Sequence, residues 1–322
     1  LEALEAGAMP ASPWAAAGHE LAFDQAIFRL KGAILPTGPA PTAPATSAMH
    51  GGTVPSGTDY CPLASHTPDQ RTLEIRGERD CWRFDRVTGS LSAWTRDGLP
   101  VLATGPRLNL WRAPIDNDRH FDPTNGFAKL WREAGLDHLT QRLIGFDMKN
   151  EGDSLVVTIG ISAGAACHAT VEGGPRGYTC VWRYAMHPDG RLDLELQAEP
   201  FGPLPHLPRQ GLVLDLPGTT ARADWYGYGP GESYRDSMGG VRLGRFGLKI
   251  EDLATDYVYP QENGNRQDTR WVALGDIQGR GLFVAADSPF GFGAHRYSLD
   301  DLDRARHTVD LPRRDTVQLT LD

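Results

Sequence analysis

No apolar run in this chain approaches the length that a membrane-spanning helix needs, which argues against a membrane protein. Blocks of lysine or arginine are also missing, and the formal net charge is −9 over 322 residues. Nucleic acid is therefore not an expected partner, because affinity for a phosphate backbone comes from clustered cations that release counterions. Cysteine is scarce: Cys61, Cys81, Cys167 and Cys180 stand far apart without a C-x-x-C pair. Neither a zinc site nor a disulfide framework is indicated, and a reducing cytoplasm fits. There is no H-E-x-x-H motif and no fixed-period repeat. The opening LEALEAGAMPA puts acidic residues where a signal peptide has a basic region and an apolar core, and a start without Met reads as a piece of something longer.

What is present is an ordinary soluble composition, 40% hydrophobic and 23% charged, with a strong β pattern. Residues 1–31 contain PWAAAGHELAFDQAIFRL, whose imperfect alternation reads as a strand belonging to a preceding domain. Residues 32–70 read as a linker; as far as Thr58 the stretch is mainly Pro, Ala, Thr, Ser and Gly with no Asp, Glu, Lys or Arg. From Arg71 to Asp322 period-two runs recur, at Leu73–Ile75, Trp82–Phe84, Leu91–Thr95, Leu155–Ile161, Tyr178–Tyr184, Leu192–Leu196, Leu212–Leu216 and Val317–Leu321. Turn signals separate them at Thr88-Gly89-Ser90, Asp97-Gly98 and His187-Pro188-Asp189-Gly190. Two short helices are predicted. One spans Asn125–Ala134, with Phe127, Leu130, Trp131 and Ala134 on its apolar stripe and Gly135 as its stop; the other starts at the N-cap Ser298 and runs to about His307. The fold class expected is all-β, a large antiparallel sandwich.

Four clusters carry more polar function than a sandwich needs: WRAPIDND (Trp111–Asp118), WYGYGPGESYRD (Trp225–Asp236), YVYPQENGNRQDTRW (Tyr257–Trp271) and the stretch from Phe290 to Ser298. Charged groups beside aromatic faces are what binds sugars, carboxylates and guanidinium groups holding hydroxyls while rings cover the apolar face of a pyranose. A buried ion pair at a bent strand end has the same composition. Arg112, Asp116, Asp118, Glu232, Glu262, Asn263, Arg266 and His295 are the candidate binding or structural network, with Glu232, Glu262, Arg266 and His295 expected to be mostly buried and bonded to one another. Glycoside cleavage needs two carboxyl groups flanking the scissile bond, and Asp116, Asp118, Glu232 and Glu262 are of the right type. A lone His295 on an apolar strand is more often structural. Gly227, Gly229 and Gly231 match no dinucleotide loop and read as turn glycines.

RAPIDND, LWREAGLDHL, WYGYGPGESYRD, YVYPQENGNR and AHRYSLDDLDRARH occur in the order, and roughly at the spacing, of the C-terminal domain of the large β-galactosidases of glycoside hydrolase family 2. The chain resembles that family over residues 71–322, and PWAAAGHELAFDQ is similar to the last strand of the immunoglobulin-like domain preceding it. The resemblance implies a supersandwich of the galactose mutarotase-like type that helps build the active-site cavity and subunit contacts. It also implies that the catalytic glutamates and the catalytic magnesium and sodium ligands lie outside this chain, in a TIM barrel. A Gly-rich segment bearing a sugar-stacking Trp is expected beyond the position of Asp322. No cofactor is expected within the chain apart from a sodium ion on the backbone carbonyls of Pro260 and Leu302. The expected partners are the barrel and other domains of the parent enzyme, a galactoside or glucose moiety at the site edge, and further copies in a homo-oligomer. An independent aldose 1-epimerase with His295 as acid and Glu232 or Glu262 as base, and a carbohydrate-binding module, are the alternatives.

Overall fold

The computed structural model describes residues 62–119, 126–165 and 174–322. The expected terminal strand in residues 1–31 and the Pro/Ala stretch up to Thr58 lie outside the described residues. Strand β1 (Ala64–His66) pairs with β2 (Thr72–Arg76), so the last part of the expected linker belongs to the first sheet. That sheet is a five-stranded meander completed by β3 (Asp80–Asp85), β4 (Ser90–Arg96) and β5 (Leu99–Leu102). Arg96 pairs with Leu99 across a two-residue turn in which Asp97 and Gly98 have φ of 52° and 76°. Two successive left-handed residues give the turn a twist that matches the strands it joins. Alternation along β3 buries Trp82 and Phe84 completely and turns Arg83 outward onto Glu74.

Strand β6 (Thr104–Asn109) leads to two short helices, α1 (Asp116–Arg119) and α2 (Phe127–Glu133). Gly135, at φ 68°, ends α2: its N–H donates to the carbonyl of Arg132 while Leu136 N–H reaches back to Trp131. Those two bonds satisfy carbonyls that the helix end would otherwise leave open. The buried face of α2 is Ala128 and Trp131, followed by Ala134 just past its end. The expected stripe is corrected at Phe127 and Leu130, which are exposed; Phe127 instead stacks on Trp131 from outside at 6.2 Å.

A four-stranded sheet follows in the order β10-β9-β8-β7, from β7 (Leu139–Glu151), β8 (Ser154–Ala165), β9 (Gly177–Met186) and β10 (Leu192–Phe201). The third sheet has seven strands: β11 (Gly211–Pro217), β12 (Arg222–Gly229), β13 (Arg242–Lys249), β14 (Arg266–Gly275), β15 (Gly281–His295), β16 (Thr316–Leu321) and β6, ordered β13-β12-β14-β15-β16-β11-β6. Helix α3 (Leu299–Arg304) sits between β15 and β16 with the Ser298–Asp301 capping box in place; it stops short of His307. All three sheets contribute to one core, with Phe84 and Leu91 from the first, Ile159 and Tyr184 from the second, and Trp225 and Phe292 from the third. The protein is an all-β antiparallel sandwich, as its alternation predicts. No helix among the described residues is long and apolar enough to cross a membrane.

The reading of Gly227 and Gly229 as turn glycines is corrected. Both lie within β12, where a Cβ would come 2.8 Å from the Thr269 Cα and 2.7 Å from the Phe246 ring, respectively. Close approach of strand and ring excludes a side chain at these positions; only Gly231 stands in an open loop.

Candidate functional site

The long connection between β13 and β14 is the meeting point of all four polar clusters. Arg266, at the start of β14, is 2% exposed and spreads its guanidinium over three main-chain carbonyls: Nη1 donates to Leu253 at 2.6 Å and Gly264 at 2.5 Å, and Nη2 to Pro230 at 3.0 Å. Its charge also lies 5.5 Å from the centre of the Trp225 ring. Burial is the main reason that its pKa is lowered, to about 10. The arginine therefore ties three loop segments together.

Glu262 does not pair with Arg266 but with Arg209, on the segment between β10 and β11. The Arg209 Nη2 donates to Glu262 Oε1 at 2.6 Å, and both side chains are 5% exposed. Tyr234 Oη adds a hydrogen bond to the same oxygen at 3.2 Å, and Arg209 Nε lies 3.4 Å from an oxygen of Asp322. Burial alone would lower the Arg209 pKa, but the charges of Glu262 and Asp322 outweigh it and raise it. Tyr234 is pushed well above the ordinary phenol value by burial and then by Glu262.

Glu232 forms a second anchor. It accepts from the Thr255 hydroxyl at 2.9 Å, from Gly264 N–H at 2.8 Å and from the Tyr257 hydroxyl. That last bond, then burial, raises Tyr257 to about 12. Asn263, 4% exposed, accepts from Thr255 N–H and the Tyr297 hydroxyl, and its amide donates to Gln261. His295 stacks on Tyr297 at 4.9 Å and hydrogen-bonds the main chain of Asn263. Its Nδ1 is buried without a partner. Burial, reinforced by the nearby Arg266 charge, lowers its pKa to about 4, so the ring is neutral at pH 7.

The fourth cluster joins by its edge. Arg112 and Asp118 form a two-pronged pair at 2.7 and 3.1 Å, and Asp118 also accepts from Ile115 N–H. The Asp116 carboxylate is 75% exposed; this residue reaches the centre through its N–H, which donates to Gln261. Arg119 places its guanidinium 4.4 Å over the Tyr259 ring, with Nη2 3.5 Å from the Pro260 carbonyl. A fixed positive charge on that carbonyl does not fit the sodium ion that the resemblance implies there. Among the described residues no group of three or more His, Cys, Asp or Glu side chains could hold a metal ion.

The eight candidates gather around one connection, from loops, from helix α1 and from the ends of β14 and β15, but the partnerships differ from expectation. Glu232, Glu262, Arg266 and His295 do not hydrogen-bond one another: Glu262 is held by Arg209 and Tyr234, the half-buried Glu232 by Thr255, Tyr257 and Gly264, and Arg266 by main-chain carbonyls. Arg209, Tyr234 and Thr255 complete the network. Nothing in PHLPRQ marks Arg209, since a pairing across 53 residues leaves no spacing signal, whereas Tyr234 lies inside a cluster already noted. Between Arg209, Glu262, His295, Tyr297, Leu302 and Thr320 lies a cavity of about 10 Å³, the room of one water molecule. A pyranose needs a pocket on the order of hundreds of Å³. The epimerase geometry, with His295 and a carboxylate on opposite sides of a bound sugar, is not formed here.

Residues 76–322 match the family described as β-galactosidase small chain. Over 316 residues the chain is 30% identical to a β-galactosidase of Vibrio cholerae, covering 96% of this chain and 27% of that protein. A β-galactosidase of Aeromonas hydrophila is 31% identical over 97% of this chain and 28% of its own length, and β-galactosidase 2 of Enterobacter cloacae is 31% identical over 92% and 26%. The chain spans little more than a quarter of the length of these relatives. With the family matched over most of its length, the chain belongs to the β-galactosidase small-chain family.

Proposed function

We propose that this chain is the C-terminal, non-catalytic portion of a cytoplasmic β-galactosidase that hydrolyses terminal β-D-galactosides such as lactose, and that it shapes the wall of the active-site cavity and supports subunit assembly. One observation carries the reading: the carboxylates of Glu262, Asp118 and Glu232 are each engaged by fixed donors, and the cavity beside Glu262 has the room of one water. Glu262 is held by Arg209 and Tyr234, Asp118 by Arg112 and Ile115, and Glu232 by Thr255, Tyr257 and Gly264. A retaining glycosidase needs two carboxyl groups roughly 5 Å apart across a sugar, with oxygens free to face the scissile bond, and here those oxygens are already taken up by neighbouring donors. Rigid loops of this kind suit a supporting wall. Tyr257 and Tyr259, both partly exposed on the same connection, are the side chains that this wall offers to a galactoside or glucose moiety. The catalytic residues, and the magnesium and sodium ions of the parent, belong on this reading to the barrel outside the chain.

The test is complementation. Mixing the purified chain with the remainder of its parent polypeptide is expected to restore β-galactoside hydrolysis that neither piece shows alone. Activity of the remainder at full strength without this chain would remove the supporting role.

A further inference from the structure

His295 lines the small cavity beside Glu262 and brings a hydrogen-bonding need with it. The ring is neutral at pH 7, since burial and the Arg266 charge hold its pKa at about 4. A neutral imidazole has one N–H that donates and one bare nitrogen that accepts. Its donated bond goes to the main chain of Asn263, while Nδ1 is enclosed with no hydrogen-bond partner among the described residues. The proton therefore sits on Nε2, and Nδ1 offers a lone pair to a donor. Buried acceptors of this kind are commonly met by ordered water. Glu262 has a matching capacity: Arg209 and Tyr234 both donate to Oε1, which leaves the lone pairs of Oε2 for a further donor. Thr320, also in the cavity wall, is only loosely held, its hydroxyl lying 3.4 Å from the Gly293 carbonyl.

We propose that this cavity is the binding site of a single ordered water molecule, which donates one hydrogen bond to His295 Nδ1 and the other to Glu262 Oε2 and accepts from the Thr320 hydroxyl. Size and charge both select water. A space of about 10 Å³ admits one molecule and nothing larger. Arg209 and Arg266 bring positive charge to the surroundings while Glu262 and Asp322 bring negative, so an ion of either sign would meet a like charge. Through the water His295 joins the Arg209–Glu262 network with which it shares no direct bond, and β15 and β16 are tied to the connection that carries Glu262. The site is independent of any role in galactoside hydrolysis.

A high-resolution crystal structure of the unsubstituted chain tests the site directly. One isolated peak at full occupancy is expected about 2.7–3.2 Å from His295 Nδ1 and from a Glu262 oxygen. The absence of a peak would overturn the proposal, as would a peak in reach of Glu262 but not of His295. A hard cation would gather six or more oxygens at about 2.3–2.6 Å, and such a set would overturn it too. Nitrogen NMR of the chain labelled at histidine gives a second reading in solution. His295 is expected as the Nε2–H tautomer at pH 7, with its Nδ1 resonance displaced toward that of a hydrogen-bonded acceptor. A proton on Nδ1, or an Nδ1 resonance like that of a nitrogen without a donor, would contradict the assignment. In His295→Phe, which keeps a ring and removes the acceptor, the water peak is expected to fall below about half occupancy. An unchanged peak would show that Glu262 holds the water without His295 and would overturn the bridge.

Discussion

Arg209 and Glu262 are the pair on which the site most depends. Removing one partner leaves the other charged in a space with almost no solvent, which typically costs about 3–5 kcal/mol. Arg209→Met and Glu262→Leu are each expected to lose that much in urea unfolding, and the double variant much less than the sum, since apolar groups then fill the space together. Strictly additive losses would contradict the pairing. His295 gives a pH signature. Its pKa is about 4 in the fold against 6.5 when free, so below pH 6.5 the unfolded chain takes up a proton that the folded one refuses. Stability from this group is complete above pH 6.5 and is lost as pH falls toward 4, by on the order of 3 kcal/mol. His295→Gln should flatten that part of the stability profile; parallel profiles for the unsubstituted chain and the variant would exclude His295 as the cause. These residue types were legible in the sequence because they sit in dense polar clusters. Their partners were not, since Arg266 is held by the carbonyls of Leu253, Gly264 and Pro230, and any residue supplies a carbonyl.

Elements were legible where alternation is unbroken. Strands β8, β9, β11 and β16 follow from it, as do the Asp97-Gly98 hairpin and the Ser298 cap. Strand β7 is hidden for a physical reason: a bulge between Leu143 and Gly145 shifts the parity, so Leu139 and Leu143 share a phase that Phe146 breaks. Strand β12 is hidden by its glycines, which composition assigns to turns and packing assigns to contact. Gly227→Ala is expected to cost about 1–3 kcal/mol, because its new methyl group meets the β14 backbone, which has no side-chain freedom to yield. Gly231→Ala meets open space and should change stability by less than about 0.5 kcal/mol. Thermal unfolding of the two variants distinguishes packing glycines from turn glycines, and equal effects would contradict the assignment.

At the scale of the whole molecule, three sheets share one core while the polar loops gather at the connection between β13 and β14. The all-β class and the family were legible because alternation and motif order extend over most of the chain. The central claim is that these loops support a galactosidase site without performing its chemistry. Its most direct test is nitrophenol release from an aryl β-galactoside by the isolated chain, measured beside Glu232→Gln and Glu262→Gln. The account predicts no turnover above buffer for any of the three proteins. Turnover by the unsubstituted chain that either substitution abolishes would contradict it and make this domain an enzyme in its own right.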